Sequence, residues 1–221
     1  VRDVAPDIFL AGNIGAAQLK EYSVERIEKA LSDVGADALA IHLNAAQEAM
    51  QPDGTPDFRG AFEKIAEISK RLKKPVYVKE VGHGIGWTVA RKLAKTNIKA
   101  IDVQGAGGTS WIGIDSLRGN RELGETFWDF GIPTAVSIFE CRQEFRGKII
   151  ASGGIRSGLD IIKGIILGAD LGGIALPVLK AQAEGGEKGA EKYLERIIQE
   201  IRIGMFLLNA RTIEDLKKKK K

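Results

Sequence analysis

Ala151-Ser-Gly-Gly-Ile-Arg-Ser-Gly158, followed by Gly168-Ala-Asp-Leu-Gly-Gly-Ile-Ala-Leu-Pro177, reads as strand, glycine turn, helix, strand. Ile149 to Ser152 is a short apolar run. Gly153 and Gly154 lack the Cβ atoms that would hold a ligand away from the backbone. Ser157 and Asp160 open a helix in capping-box spacing. Such a helix start presents unpaired N–H groups, and Arg156 adds a fixed positive charge beside them. A second strand, expected at Gly173–Leu176, brings more backbone alongside. The loops after the last two strands of a (β/α)8 barrel form a phosphate pocket of this kind. The alternative is a glycine-rich structural turn, but the glycines, the cap, the arginine and the second strand agree on a phosphate.

Working outward, strand-like and helix-like segments alternate. Strands are expected at Ile8–Gly12, Ala38–Leu43, Val76–Val78 and Ala100–Val103. Helical spacing covers Val24–Val34, Ala61–Leu72, Thr88–Lys95, Leu159–Leu167 and Lys188–Leu208. This βαβα order implies a parallel sheet. Pro133-Thr-Ala-Val-Ser-Ile-Phe139 mixes β-branched residues with a proline suited to a first helical turn, and reads as a helix. About six barrel strands can be counted against the eight of a closed barrel. Because the phosphate turn belongs to the seventh strand, the other two are expected before Val1. Six parallel strands alone leave two open edges, so association with another copy or fragment is expected.

Strand alternation places the chemistry. In Ala38-Leu-Ala-Ile-His-Leu-Asn44, Leu39, Ile41 and Leu43 should face the helices. Ala38, Ala40, His42 and Asn44 should face the barrel axis. His42 and Asn44 then stand at the C-terminal mouth, where barrel active sites lie. Asn13 ends the first strand on the face of Phe9 and Ala11. Lys79 ends the third run, Asp102 and Gln104 share a face, and Ser152 precedes the glycine turn. One polar strand end is commonly a satisfied core group, whereas five aimed at one mouth indicate a ligand. Lys79 suits an electron-rich ring or a developing anion, with a structural salt bridge as the alternative. Glu48, following Gln47, is either a solvated carboxylate or a ligand of Mg²⁺, which binds few carboxylates plus substrate phosphates. Gly105-Ala-Gly-Gly-Thr-Ser-Trp111 is a second glycine loop that suits phosphate.

Composition bounds the rest. The 221 residues, 44% hydrophobic with 27 glycines, suit one α/β domain of 1–216 followed by a lysine tail at 217–221. Taking Lys217–Lys221 from the net charge of +4 leaves the body with one negative charge. A nucleic-acid partner is therefore not expected, and the lysine run reads as a solvated tail. Cys141 is the only cysteine, which excludes an internal disulfide and fits a cytoplasmic setting. No membrane partner is expected, because no apolar run reaches spanning length. His42 and His83 lack zinc spacing.

His42-Leu-Asn-Ala-Ala-Gln-Glu48, Val78-Lys-Glu-Val-Gly82, Asp102 to Trp111, and Ser152-Gly-Gly-Ile-Arg-Ser-Gly158 together resemble type 2 isopentenyl-diphosphate isomerase of archaeal type. The resemblance covers nearly the whole chain. It implies a TIM barrel holding FMN, used in reduced form after reduction by NADPH, with Mg²⁺ and a small diphosphate substrate. It implies that Asn13 and Lys79 contact the flavin ring and that Thr109 lies on the flavin side. Gln104 stands there too, where many relatives carry a smaller residue. Gly153, Gly154, Arg156, Ala175 and Leu176 would surround the flavin phosphate. His42, Asn44 and Gln47 would face the substrate, and Glu48 would ligate Mg²⁺. His42, Gln47 and Lys79 would form the catalytic set, Lys79 by stabilising negative charge on the ring. The family's amino-terminal basic segment and its Met-Thr-Gly-Gly strand motif have no counterpart here. Two rival readings remain. An FMN-dependent 2-hydroxy-acid oxidase would want an arginine for the substrate carboxylate and a histidine base after a later strand. A non-catalytic fragment would need a completing chain.

Overall fold

A computed structural model describes residues 1–219. Six parallel strands form one sheet in sequence order. They are β1 (Ala11–Gly15), β2 (Ala38–His42), β3 (Val76–Lys79), β4 (Ala100–Asp102), β5 (Lys148–Ala151) and β6 (Leu171–Gly172). This is the arrangement of six consecutive strands of a (β/α)8 barrel. Among the described residues the outer edges of β1 and β6 are unpaired. The helices between strands are α1 (Val24–Asp33), α2 (Ala45–Met50), α3 (Ala61–Arg71), α4 (Trp87–Leu93), α5 (Trp111–Ser116), α6 (Arg121–Phe127), α7 (Thr134–Glu144) and α8 (Gly158–Leu167). After β6 come α9 (Leu176–Leu207) and α10 (Ile213–Lys217).

Register builds two rows across the sheet. Ile14, Ile41, Val78, Ile101 and Ile149 are successive partners. Ile41, Val78, Ile101 and Ile149 are fully buried in the main core. That core includes Val24, Ile27 and Leu31 of α1 and Ile65 and Ile68 of α3, which recur at helical spacing. Each such side chain contributes roughly 1.5–3 kcal/mol by leaving water. One residue further on, the partners are Gly15, His42, Lys79 and Asp102. The apolar row faces the helices, and the polar row faces the other side. Local caps fix where helices start. Ser23 Oγ accepts from Arg26 N at 3.2 Å at α1, and Ser157 with Asp160 forms the expected capping box at α8.

Several boundaries differ from the sequence expectation. β1 begins three residues later than Ile8. The Arg2 guanidinium takes the carbonyls of Pro6 and Ile8, each at 2.8 Å, and holds this stretch as coil. Phe9, expected in a strand, is 68% exposed. The last strand is Leu171–Gly172, not Gly173–Leu176. Gly173 N still donates to Ala151 O at 2.8 Å, after which Pro177 presets the first turn of α9. That helix begins well before Lys188 and is broken at Gly186, whose φ of 62° suits glycine alone among common residues. The Pro133 segment is helical, as expected. The short helices α2, α5 and α6 were not expected.

The opposite end of the sheet is tied by charge. Asp170 accepts from Arg142 Nη2 at 2.7 Å, Lys148 Nζ at 3.3 Å, Lys217 Nζ at 2.7 Å and Ile149 N at 2.9 Å. Burial alone would raise this carboxyl, but the Lys217 and Ile149 hydrogen bonds and the cationic charges outweigh it and hold it below the usual range. Lys217, expected in a solvated tail, is therefore the paired last residue of α10. Lys220 and Lys221 lie outside the described residues.

Candidate flavin and diphosphate site

The ends of β1 to β5 converge polar groups. His42 Nδ1 lies 3.0 Å from Asn13 Oδ1, which joins β2 to β1. Asn13 is in the middle of β1 rather than at its end. Lys79 Nζ donates to Glu80 O at 2.8 Å. Asp102 is buried, accepting from Ser152 Oγ and, at 3.0 Å, from Gln104 Nε2. Burial holds Lys79 below the usual lysine value despite the charges of Asp102 and Glu80. Burial lowers His42, and the Lys79 charge lowers it further. Burial raises Asp102 against the pull of Ser152, Gln104 and Lys79. The row is thus a partly buried strip carrying one lysine and one carboxyl, with Asp102 its buried end.

Gln104 has φ of 35°, a left-handed conformation unfavourable to a side-chain-bearing residue. The Gln104 amide donates to Asp102, while Gly105 N still donates to Ser152 O at 3.0 Å beside the end of β5. Thr109 is exposed in that loop. Asn44 caps the start of α2 by position, and its Nδ2 donates to Glu48 Oε1 at 2.8 Å. Glu48 Oε2 accepts from Thr55 N at 2.7 Å. Asn44 Oδ1 is buried without a partner among the described residues. Gln47 is half-buried on the same short helix. Among the described residues no group of three or more His, Cys, Asp or Glu side chains gathers around a cation site.

The two glycine loops meet. A Cβ on Gly153 would overlap the Gly105 carbonyl, and one on Gly154 would overlap the Gly107 carbonyl. Both residues have positive φ, 96° and 76°. The sequence reading gave these glycines to ligand approach, but their first requirement is close packing of one loop against the other. Arg156 spans the junction, with Nη1 on Gly154 O at 2.7 Å and Nη2 on Gly107 O at 3.0 Å. Beside them lies a cavity of about 300 Å³ lined by Gly107, Thr134, Gly153, Gly154, Arg156 and Lys163, among others. Ala175 and Leu176 do not line it and stand at the start of α9.

The sequence signature of the FMN-dependent dehydrogenase family matches residues 13–220. The chain belongs to that family. Isopentenyl-diphosphate delta-isomerase of Thermococcus onnurineus is 45% identical over 99% of this chain and 61% of that protein. The enzyme of the same name from Methanosarcina barkeri is 47% identical over 98% of this chain and 60% of that protein. The chain therefore spans about three-fifths of the length of these curated relatives. Among solved structures, a mandelate oxidase carrying an FMN adduct superposes with a TM-score of 0.63 at 19% identity, over 90% of this chain and 58% of that one. Inosine 5′-monophosphate dehydrogenase from Legionella pneumophila gives 0.62 at 18%, over 94% and 70%. At these identities the structures establish the barrel fold of the family and nothing of its chemistry. The two histidines of this chain end β2 or follow β3, not a later strand, which is where the oxidase reading would want its base.

Two buried acids escaped the sequence reading. Glu80 follows Lys79 and lies under the β3–α4 loop, and Asp115 of α5 is held by Gln51 and Arg118. A carboxylate placed directly before Val81-Gly-His-Gly was the available signal for Glu80.

Proposed function

We propose that this chain carries the flavin and diphosphate chemistry of an isopentenyl-diphosphate isomerase, converting isopentenyl diphosphate reversibly to dimethylallyl diphosphate with FMN, NADPH as reductant, and Mg²⁺. The observation that carries this reading is the polar row His42–Lys79–Asp102, set beside relatives of that name at 45–47% identity.

The residues fit the groups implied. The amides at the start of α8 are taken by the chain's own carboxylates, Arg156 N and Ser157 N by Asp160 and Gly158 N by Glu200, but those of Gly153 and Gly154 donate to no acceptor among the described residues; with Arg156 and Lys163 beside them in the cavity that Asp160 also lines, they suit a phosphate monoester. Reduced FMN, when bound, supplies the group that gives and takes the proton. Lys79 would hold a positive charge beside the ring and favour negative charge there. Asn13 orients the His42 imidazole through the 3.0 Å contact. His42, its proton affinity lowered, presents a neutral ring to the substrate at neutral pH. The buried, unpartnered Asn44 Oδ1 beside the Glu48 carboxylate suits a hard cation that keeps waters and takes diphosphate oxygens. Gln47, on the same helix, positions the substrate. Thr109, exposed in the β4 loop, would border the ring. A cytoplasmic homo-oligomer suits such an enzyme. Among the described residues no helix is long and apolar enough to cross a membrane.

The test is FMN titration followed by exchange in deuterated water. Flavin fluorescence should quench on binding, and isopentenyl diphosphate should gain deuterium only with reduced FMN and Mg²⁺ present. Flavin binding without exchange, together with oxidation of a 2-hydroxy acid, would refute the isomerase reading.

A further inference from the structure

We propose that Glu80 is a positioning residue for Lys79: its carboxylate, closed on the three amides that follow it, fixes the peptide carbonyl that holds the Lys79 ammonium at the end of the sheet. This deepens the reading of Lys79 given above and rests on it.

Glu80 is buried. Its Oε2 accepts from Val81 N at 2.7 Å, Gly82 N at 2.8 Å and His83 N at 2.5 Å. Three successive N–H groups converging on one point form an anion nest. Here the chain's own carboxylate fills it. On the sheet side, Glu80 N donates to Asp102 O at 3.2 Å. On the outer side the loop is pinned beneath its neighbours. A Cβ on Gly82 or Gly84 would stand 2.6 Å from the carbonyl of Thr109 or Ile132. The Glu80 peptide is therefore fixed at both ends, and its carbonyl accepts from Lys79 Nζ.

The neighbouring imidazole makes no hydrogen bond to the carboxylate. His83 is buried, its ring nitrogens have no hydrogen-bond partner among the described residues, and Nδ1 stands 3.5 Å from Glu80 Oε2. The amides are what orient Glu80. A lysine stem is flexible, and ordering it costs up to about 2 kcal/mol of side-chain entropy. A half-buried ammonium also needs an acceptor. The Glu80 carbonyl meets both needs only while the loop keeps its shape.

The reactivity of Lys79 reads this directly, without cofactor. Acetylation of the protein, followed by mass spectrometry, compares Lys79 with Lys73, whose side chain is 87% exposed. In the parent, Lys79 should react about tenfold more slowly than Lys73, because its ammonium is held half-buried on the Glu80 carbonyl. Glu80→Ala should remove most of that protection. Glu80→Gln should keep it to within about twofold, because an amide oxygen still accepts from the three N–H groups. Unchanged Lys79 protection in Glu80→Ala, with only a lower Tm, would make Glu80 a loop brace and overturn the proposal. Equal loss in both variants would assign the effect to charge and overturn it too. Should Glu80→Ala not fold, the parent and Glu80→Gln decide: protection in both supports the proposal, and Lys79 reacting like Lys73 in the parent, or losing protection in Glu80→Gln, overturns it. The flavin role of Lys79 is tested apart from this. If Lys79→Met leaves FMN affinity unchanged, that role fails while the acetylation result stands.

Discussion

Asn44 Nδ2 donates to Glu48 Oε1 at 2.8 Å, which leaves the buried Asn44 Oδ1 facing no protein partner among the described residues. The pair is one turn apart on the entry to α2, so the helix start sets both oxygens in one place. Glu48→Gln keeps the shape and removes the charge. Manganese binding, read by electron paramagnetic resonance in the presence of diphosphate, should weaken by about tenfold, or about 1.4 kcal/mol. The bound-flavin spectrum should not change. Equal metal affinity in parent and variant would remove Glu48 from the metal site.

Gly154→Ala adds no charge, yet its Cβ would overlap the Gly107 carbonyl at a φ of 76°. We expect a loss of stability of about 1–3 kcal/mol, the usual cost of strain at a special backbone position, and weaker FMN binding with it. Gly154→Asp should bind FMN more weakly still, because a carboxylate then faces the phosphate. Denaturant unfolding and flavin fluorescence check both. An alanine variant as stable as the parent would show that the loops do not interlock.

His42 should titrate below the ordinary histidine value, because burial and then the Lys79 charge disfavour its cation. Lys79→Met removes the charge and leaves the burial, so the His42 value should rise. With two histidines in the chain, proton NMR of the imidazole signals follows this over pH. No rise in the variant would mean that the Lys79 ammonium does not face His42.

Asp170 gives a pH dependence of stability. Its folded carboxyl is held below the unfolded value of about 3.9. Its contribution is therefore fully present above that value and is lost as pH falls through the depressed folded value. Asp170→Asn should cost about 2 kcal/mol at pH 7, the range of hydrogen bonds to charged groups. The gap between parent and variant should hold from pH 7 to about 5 and shrink below about 4. A gap that widens in acid would contradict the pairing with Lys217 and Arg142.

The sequence was most legible where one period ruled. β2 alternates large apolar with small or polar residues, and the structure sends Ile41 to the helices and His42 to the polar row. The capping box at Ser157 needs only four residues and was equally plain. Reading failed where a distant group decided. Ile8 and Phe9 look like strand until Arg2 claims the backbone carbonyls around them. Lys217 looks like tail until Asp170 reaches it from far along the chain. In the site, His42, Lys79 and Asp102 could be placed by counting alternate residues. Glu80 could not, because its task depends on a loop folding back on its own side chain. The purpose of Gly153 and Gly154 was likewise hidden, since the atoms that forbid a side chain there belong to a loop nearly fifty residues earlier.

That junction also limits how the site can change by mutation. When two side chains collide, trimming either one relieves the collision. Here the obstructing atoms are main chain, so no amino-acid replacement in the β4 loop can make room for a side chain at position 153 or 154. Adaptation must proceed by lengthening or shortening a loop, which shifts both loops together. Single-substitution libraries should therefore find almost no viable path through the glycine seam.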